Sequence, residues 1–201
     1  MKKTLFAVAT LLAANVAHAS CDYTPDKEGF NYSFTAYGAK DKSYVVTQNT
    51  FKTYELASES GKLLGATIEI DATSLDTSKD MNNGGGGLWP ENLAQVRNGN
   101  VVNGLFNNFA NPGKISGKIS AIDKAAVSLD LTMNGETRTI SMPYSIAEGS
   151  LSAKGTLDIL DFNAADAFKM FSNICRSWHK GKSWSDVDIM FSVPVKENGC
   201  G

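Results

Sequence analysis

From about residue 30 onward, apolar and polar side chains tend to alternate one by one. Tyr32, Phe34 and Ala36 alternate with Ser33 and Thr35. Thr67-Ile68-Glu69-Ile70-Asp71 repeats the pattern, as does Val127-Ser128-Leu129-Asp130-Leu131-Thr132-Met133. A period of two means a strand with one buried and one wet face. Tyr44 to Tyr54 is rich in Val, Thr and aromatics and is read as one further strand. Arg138–Met142, Leu151–Leu157 and Val187–Val193 complete the set. Asn134-Gly135 stands between two alternating runs, which is a strong short-range hairpin signal. Glu148-Gly149 marks a second turn. Many short two-faced strands predict an antiparallel barrel or sandwich, here of roughly eight strands.

Two segments follow a helical spacing instead. Asn163 is placed to cap a helix through Ala164, Ala167, Phe168, Phe171, Cys175 and Trp178, which recur every three or four residues. Trp89–Phe109 carries Leu93, Val96, Val101, Leu105 and Phe106, although Asn98-Gly99-Asn100 weakens its middle. The glycines at 84–87 are read as a flexible loop. With neither repeats nor a linker, residues 20–201 form one domain, large enough to bury a core.

The first nineteen residues belong to a different kind of segment. Lys2 and Lys3 precede an apolar run from Leu5 to Ala14, and Ala17-His18-Ala19 supplies an A-x-A cleavage site. That order predicts a removable export signal, residues 1–19, and a periplasmic protein. The apolar run falls short of the roughly 20 residues that span a bilayer. His18, three residues before Cys21, disfavours lipoprotein processing. Removing Lys2 and Lys3 takes the formal charge from −2 to −4. This acidic balance carries no electrostatic footprint for nucleic acid, and no run of basic residues reads as a membrane-binding cluster. No integral membrane segment is expected in the remainder, and a homodimer is left open as the assembly.

Cys21, Cys175 and Cys200 are too far apart for a redox or zinc motif. In an oxidising compartment one disulfide is expected. Cys21–Cys175 is the expected pair, pinning the N-terminus to a helix, with Cys200 free.

Chemistry is sparse. His179 is the only histidine after residue 19, so a cluster of His ligands for a metal is excluded. Its setting, Trp178-His179-Lys180-Gly181-Lys182, reads as a solvated turn past a helix end. The glycine run lacks the Lys-Ser/Thr of a phosphate loop. Asp71, Asp158 and Asp188 fall on polar strand faces, and nothing pairs two carboxylates for acid/base work. No cofactor, metal site or catalytic residue is expected. A thiol-dependent enzyme using Cys175 or Cys200 is one alternative, kept open by Arg176 and His179 near Cys175. A solid-cored interaction module is another. The apolar faces converge through Phe34, Ile68, Ile70, Leu129, Leu131, Ile140, Met142, Leu157, Ile189 and Phe191, with Phe106, Phe109, Phe168, Phe171 and Trp178 added by the helical segments. An eight-stranded interior is either filled by side chains or holds one small ligand.

Three stretches carry a family resemblance: Gly65-Ala66-Thr67-Ile68-Glu69-Ile70-Asp71-Ala72-Thr73-Ser74-Leu75-Asp76-Thr77, Leu131-Thr132-Met133-Asn134-Gly135-Glu136-Thr137-Arg138, and Gly155-Thr156-Leu157-Asp158-Ile159-Leu160-Asp161-Phe162-Asn163. In order and spacing they resemble the YceI-like family of exported, lipocalin-like proteins, over roughly residues 30 to 197. The resemblance implies a mainly β fold, an antiparallel lipocalin-like barrel with one or two helices. It implies noncatalytic binding or transport of a long-chain polyisoprenoid or fatty-acid-like lipid in the periplasm. The cavity residues would be Phe34, Ile68, Ile70, Phe106, Phe109, Leu129, Leu131, Ile140, Met142, Leu157, Phe168, Phe171 and Phe191.

Overall fold

The computed structural model describes residues 20–200, so the expected export signal at 1–19 lies outside the described residues. The strands are β1 (Cys21–Pro25), β2 (Asn31–Gly38), β3 (Tyr44–Phe51), β4 (Tyr54–Ala57), β5 (Thr67–Asp71), β6 (Leu75–Asp76), β7 (Lys114–Ile122), β8 (Ala126–Met133), β9 (Glu136–Ala147), β10 (Ser150–Asp158) and β11 (Asp186–Cys200). Helix α1 (Glu91–Gly104) precedes β7, and α2 (Ala165–Ile174) precedes β11. All strand pairs are antiparallel, in the order β4-β5-β7-β8-β9-β10-β11-β2-β3-β6, with β1 added on β11.

The expected strand from Tyr44 to Tyr54 exists but bends. β3 pairs with β2, and after Lys52-Thr53 the chain resumes as β4, paired with β5. At the bend Asp71 N–H donates to the Thr53 carbonyl, 3.0 Å, and Lys52 N–H to the Ser74 carbonyl, 3.0 Å. One strand therefore changes partner and joins the two ends of the sheet. Counting it once, the wall is β2, β3/β4, β5, β7, β8, β9, β10 and β11, an eight-stranded half-barrel that curls round a common interior.

Local chemistry explains the hairpins. Met133 pairs with Glu136 across Asn134-Gly135, whose φ values are 54° and 83°. Ala147 pairs with Ser150 across Glu148-Gly149, at 51° and 73°. Two consecutive positive φ values match the right-handed twist of the flanking strands. Asn134 adds tertiary bonds: Oδ1 accepts from Ala110 N–H at 2.6 Å and Nδ2 donates to the Phe162 carbonyl at 2.8 Å.

The pattern reading missed β7. Its buried Ile115, Gly117 and Ile119 alternate with Ser116 and Lys118, but a glycine at the centre carries no apolar signal. The expected cap of α2 is also corrected. Ala164 stands at the N-cap without a side-chain bond, while Asn163 turns the chain at φ 54° and donates to Glu136 Oε1 at 2.8 Å. The helix stops at Ile174, so Trp178 lies beyond it and is exposed rather than internal. Conversely, Asn98-Gly99-Asn100 does not break α1. Asn98 Oδ1 accepts from Thr77 N–H and Oγ1 at 3.1 and 2.8 Å, so tertiary bonds override weak local propensity. Gly104 lets α1 cross α2, since a Cβ there would lie 2.9 Å from the Phe171 Cα.

The disulfide expectation is corrected as well. Cys21 pairs with Cys200, and Cys175 is a buried free thiol. β1 runs antiparallel to the end of β11, which sets Cys21 directly opposite Cys200. Cys175 belongs to a core cluster with Phe106, Phe162 and Phe171, whereas Cys21 packs with Tyr23, Ile122 and Leu151 in a second cluster.

Candidate functional site

The inward faces of the wall enclose an apolar cavity of about 260 Å³. Every wall strand contributes: Phe34 from β2, Phe51 and Leu56 from the bent strand, Ile68 from β5, Ile115 from β7, Leu129 from β8, Met142 from β9, Leu157 from β10 and Ile189 from β11. Val101 of α1, the following Leu105 and Phe106, and Phe171 of α2 close one side. Period-two alternation accounts for this convergence, since each strand turns every second side chain inward.

Of the expected cavity residues, Phe34, Ile68, Ile70, Phe106, Leu129, Leu131, Met142, Leu157, Phe171 and Phe191 border the cavity. Phe109, Ile140 and Phe168 do not. Phe109 stacks edge-on behind Phe106 with centroids 5.6 Å apart, and Phe168 stands behind Phe171 at 5.9 Å. Ile140 fills the space over Gly155, its Cγ2 3.1 Å from where a Cβ would stand. Lining residues that sequence reading left out include Ile115, Gly117 and Ile119 of β7, Val46 and Asn49 of β3, and Tyr32. Tyr32 OH donates to the Phe51 carbonyl at 2.9 Å and accepts from its N–H at 3.2 Å, so its polar tip is satisfied in the wall.

One end of the cavity is polar, built around an aspartate that no periodicity marks. Asp80 is fully buried. Its Oδ1 accepts from Thr47 N–H at 2.9 Å, Thr47 Oγ1 at 3.1 Å and Asn82 N–H at 3.2 Å. Its Oδ2 accepts from the Trp89 indole at 2.6 Å and from both terminal nitrogens of Arg97 at 3.1 Å. The Arg97 guanidinium lies flat on the Trp89 ring, 3.8 Å from its centroid. Burial pushes the Asp80 carboxyl up, but the bonds from Thr47, Trp89 and Asn82 and the charge of Arg97 outweigh it and hold the pKa below 3.8. The carboxylate thus ties the Gly-rich loop and α1 to β3 and sets Arg97 at the cavity edge. Among the described residues, Arg97 Nε and Asn49 Oδ1 are buried without a hydrogen-bond partner, and both residues border the cavity.

His179 is not the solvated residue its neighbours imply. It borders the cavity, packs against Tyr44 and Phe171 at ring separations of 5.0 and 5.6 Å, and meets Ser183 Oγ through Nδ1 at 2.7 Å. Desolvation, assisted by the Arg97 charge, lowers its pKa from 6.5 to about 4. The folded state thus resists protonation that the unfolded chain accepts. Stability is expected to fall as pH drops from about 6.5 to about 4, with a slope of at most about 1.4 kcal/mol per pH unit from this residue. Urea unfolding of wild type and His179→Gln across this range checks it: the variant should lose the slope, and an unchanged slope contradicts the assignment.

The thiol chemistry that sequence reading kept open finds no support. Burial raises the Cys175 thiol to about 11, so it is protonated and unreactive near neutrality. His179, held neutral, supplies no cation to activate it. No group of three His, Cys, Asp or Glu side chains among the described residues is placed to hold a metal, and no described helix is long and apolar enough to cross a membrane.

The profile of the YceI-like domain matches residues 18–194. Two solved structures are similar to this chain. A polyisoprenoid binding domain from Saccharophagus degradans implicated in plant cell wall breakdown is 14% identical, with a TM-score of 0.58 over 90% of this chain and 99% of that one. BcnA from Burkholderia cenocepacia is 17% identical, with a TM-score of 0.49 over 82% of this chain and 96% of that one. No match was found among curated proteins.

Proposed function

Since the chain belongs to the YceI-like family, we propose that it is a noncatalytic periplasmic carrier whose cavity binds a long-chain polyisoprenoid or fatty-acid-like lipid. The observation that carries this reading is the cavity: about 260 Å³ of space bordered by apolar side chains from every strand of the wall. Burial of an alkyl chain contributes about 0.8 kcal/mol per CH₂, so a lined tunnel is enough to hold it without a reactive group. Wall dimensions of this kind suit one small ligand. The Saccharophagus degradans domain that shares the fold is described as polyisoprenoid binding, which supports the same ligand class. Arg97 Nε, a donor, and Asn49 Oδ1, an acceptor, are the free polar valences against which a lipid head would be set.

The test is lipid extraction and native mass spectrometry of protein purified from its own host. A long-chain lipid should leave with the protein. Leu129→Trp places a large ring in the cavity opposite Gly117, where a Cβ would already stand 3.1 Å from Leu129 Cδ1. This variant should fold and lose at least about tenfold of the bound lipid, because its ring takes the ligand's volume. Wild-type protein repeatedly free of lipid, or a folded Leu129→Trp protein carrying as much lipid as wild type, overturns the reading.

A further inference from the structure

Outside the cavity, at the end covered by α1 and α2, large apolar side chains are left in water. Leu93 and Val96 of α1 are 38% and 47% exposed, and Trp178 is 50% exposed. These three line one shallow surface groove. Ile174 at the end of α2 is also exposed, 43%, with its Cδ1 beside Gly104 at the end of α1. Single exposed apolar residues are ordinary, but a contiguous set on one face marks an interaction site.

The same end is basic, and more so than the local run around Lys180 and Lys182 shows. Ala39 N–H donates to the carbonyls of His179 and Lys182, so the turn between β2 and β3 lies against residues 176–182. This brings Lys40 and Lys42 beside Arg176, Lys180 and Lys182, of which all but Lys42 are exposed. The acidic groups in the cluster are Asp41, which feels the charge of Lys180, Asp186, which pairs with Lys42, and Asp188, which feels the charge of Lys42. Glu91 and Asp166 stand in the first turns of the two helices. Five cations against Asp41, Asp186 and Asp188 leave a positive patch on a chain whose formal charge is −2.

We propose that this face docks onto the surface of an anionic phospholipid bilayer. Trp178, Leu93 and Val96 enter the interface, while Arg176, Lys180, Lys182 and Lys40 meet the phosphates. Trp rings prefer the headgroup level, and Lys stems reach from apolar surface toward charge. An apolar centre joined to a few cations is what peripheral binding requires. A protein partner fits less well, because protein interfaces are depleted in Lys. The location also suits lipid exchange: Tyr44, Arg97, Val101 and His179 border both the groove and the cavity, so side chains alone part them. The proposal goes beyond the cavity's occupant and stands or falls without it.

Flotation of the protein with phosphatidylcholine vesicles, and with equal-part phosphatidylcholine–phosphatidylglycerol vesicles, tests it. Binding is expected only to the anionic vesicles and should weaken as salt rises. Lys180→Glu and Arg176→Glu should each lower affinity by at least about fivefold. Trp178→Ala, and Leu93→Ser with Val96→Ser, should each lower it by about tenfold. These are surface substitutions, and thermal unfolding confirms that the variants fold. Absence of binding, equal binding to both vesicles, or variants that bind like wild type overturns the proposal. So does vesicle binding abolished by Leu129→Trp while Trp178→Ala leaves it intact, since the cavity and not this face would then be capturing lipid.

Discussion

Asp80→Asn is expected to lower the unfolding free energy by about 3–5 kcal/mol, the usual cost of breaking one side of a buried ion pair. The carboxylate is fully buried and accepts from two backbone N–H groups, a hydroxyl, an indole and a guanidinium. Asparagine keeps the size but replaces one acceptor oxygen with a donor, which then faces donors, and it leaves Arg97 without its counter-charge. Urea unfolding measures the loss. Asp80→Asn combined with Arg97→Met should cost less than the sum of the single changes, because the second removes the stranded cation. The sign with pH follows from the lowered carboxyl: its contribution is present above the ordinary 3.8 and disappears as pH falls through the lower folded-state value. A loss below about 1 kcal/mol shows that this cluster does not anchor α1.

The second large effect belongs to the disulfide. Cys21 and Cys200 are 179 residues apart, so their bond closes nearly the whole folded chain. Loop-closure entropy for that length amounts to about 5 kcal/mol, an upper figure because residual structure in the unfolded chain reduces it. Cys21→Ser with Cys200→Ser, and wild type under reductant, should therefore unfold at distinctly lower temperature and by similar amounts. Cys175→Ser should not change the response to reductant. Peptide mapping should recover Cys21 joined to Cys200; a Cys21–Cys175 peptide contradicts the pairing.

Alternating strands were readable where the inward positions carried large apolar side chains, as in Thr67–Asp71 and Val127–Met133. β7 was not, because Gly117 stands where the pattern needs a hydrophobe. That same absence of a side chain gives Ile68 and Leu129 their room, since a Cβ at Gly117 would stand 3.0 and 3.1 Å from them. Phe109, Ile140 and Phe168 show the opposite error. Periodicity placed them on apolar faces, and whether an apolar side chain borders a cavity or packs behind its wall depends on neighbours far along the chain. Asp80 went unmarked and His179 was read as solvated for a related reason. Both lie among polar residues, and their burial arises from Thr47, Trp89, Arg97, Tyr44 and Phe171, which are brought in from other elements. The cations at 176–182 were read as a solvated turn, and only the fold sets the turn carrying Lys40 against them.

Strand periodicity and the Asn134-Gly135 and Glu148-Gly149 turns rest on residues near one another in the chain, where covalent geometry limits the outcome, and the family resemblance rests on the order and spacing of three such stretches. The cysteine pairing, the closing bend at Lys52-Thr53, the buried Asp80 cluster and the union of exposed apolar and basic groups beside Trp178 each depend on which strand lies next to which. That choice is made by long-range packing and antiparallel register. A window of neighbouring residues contains neither.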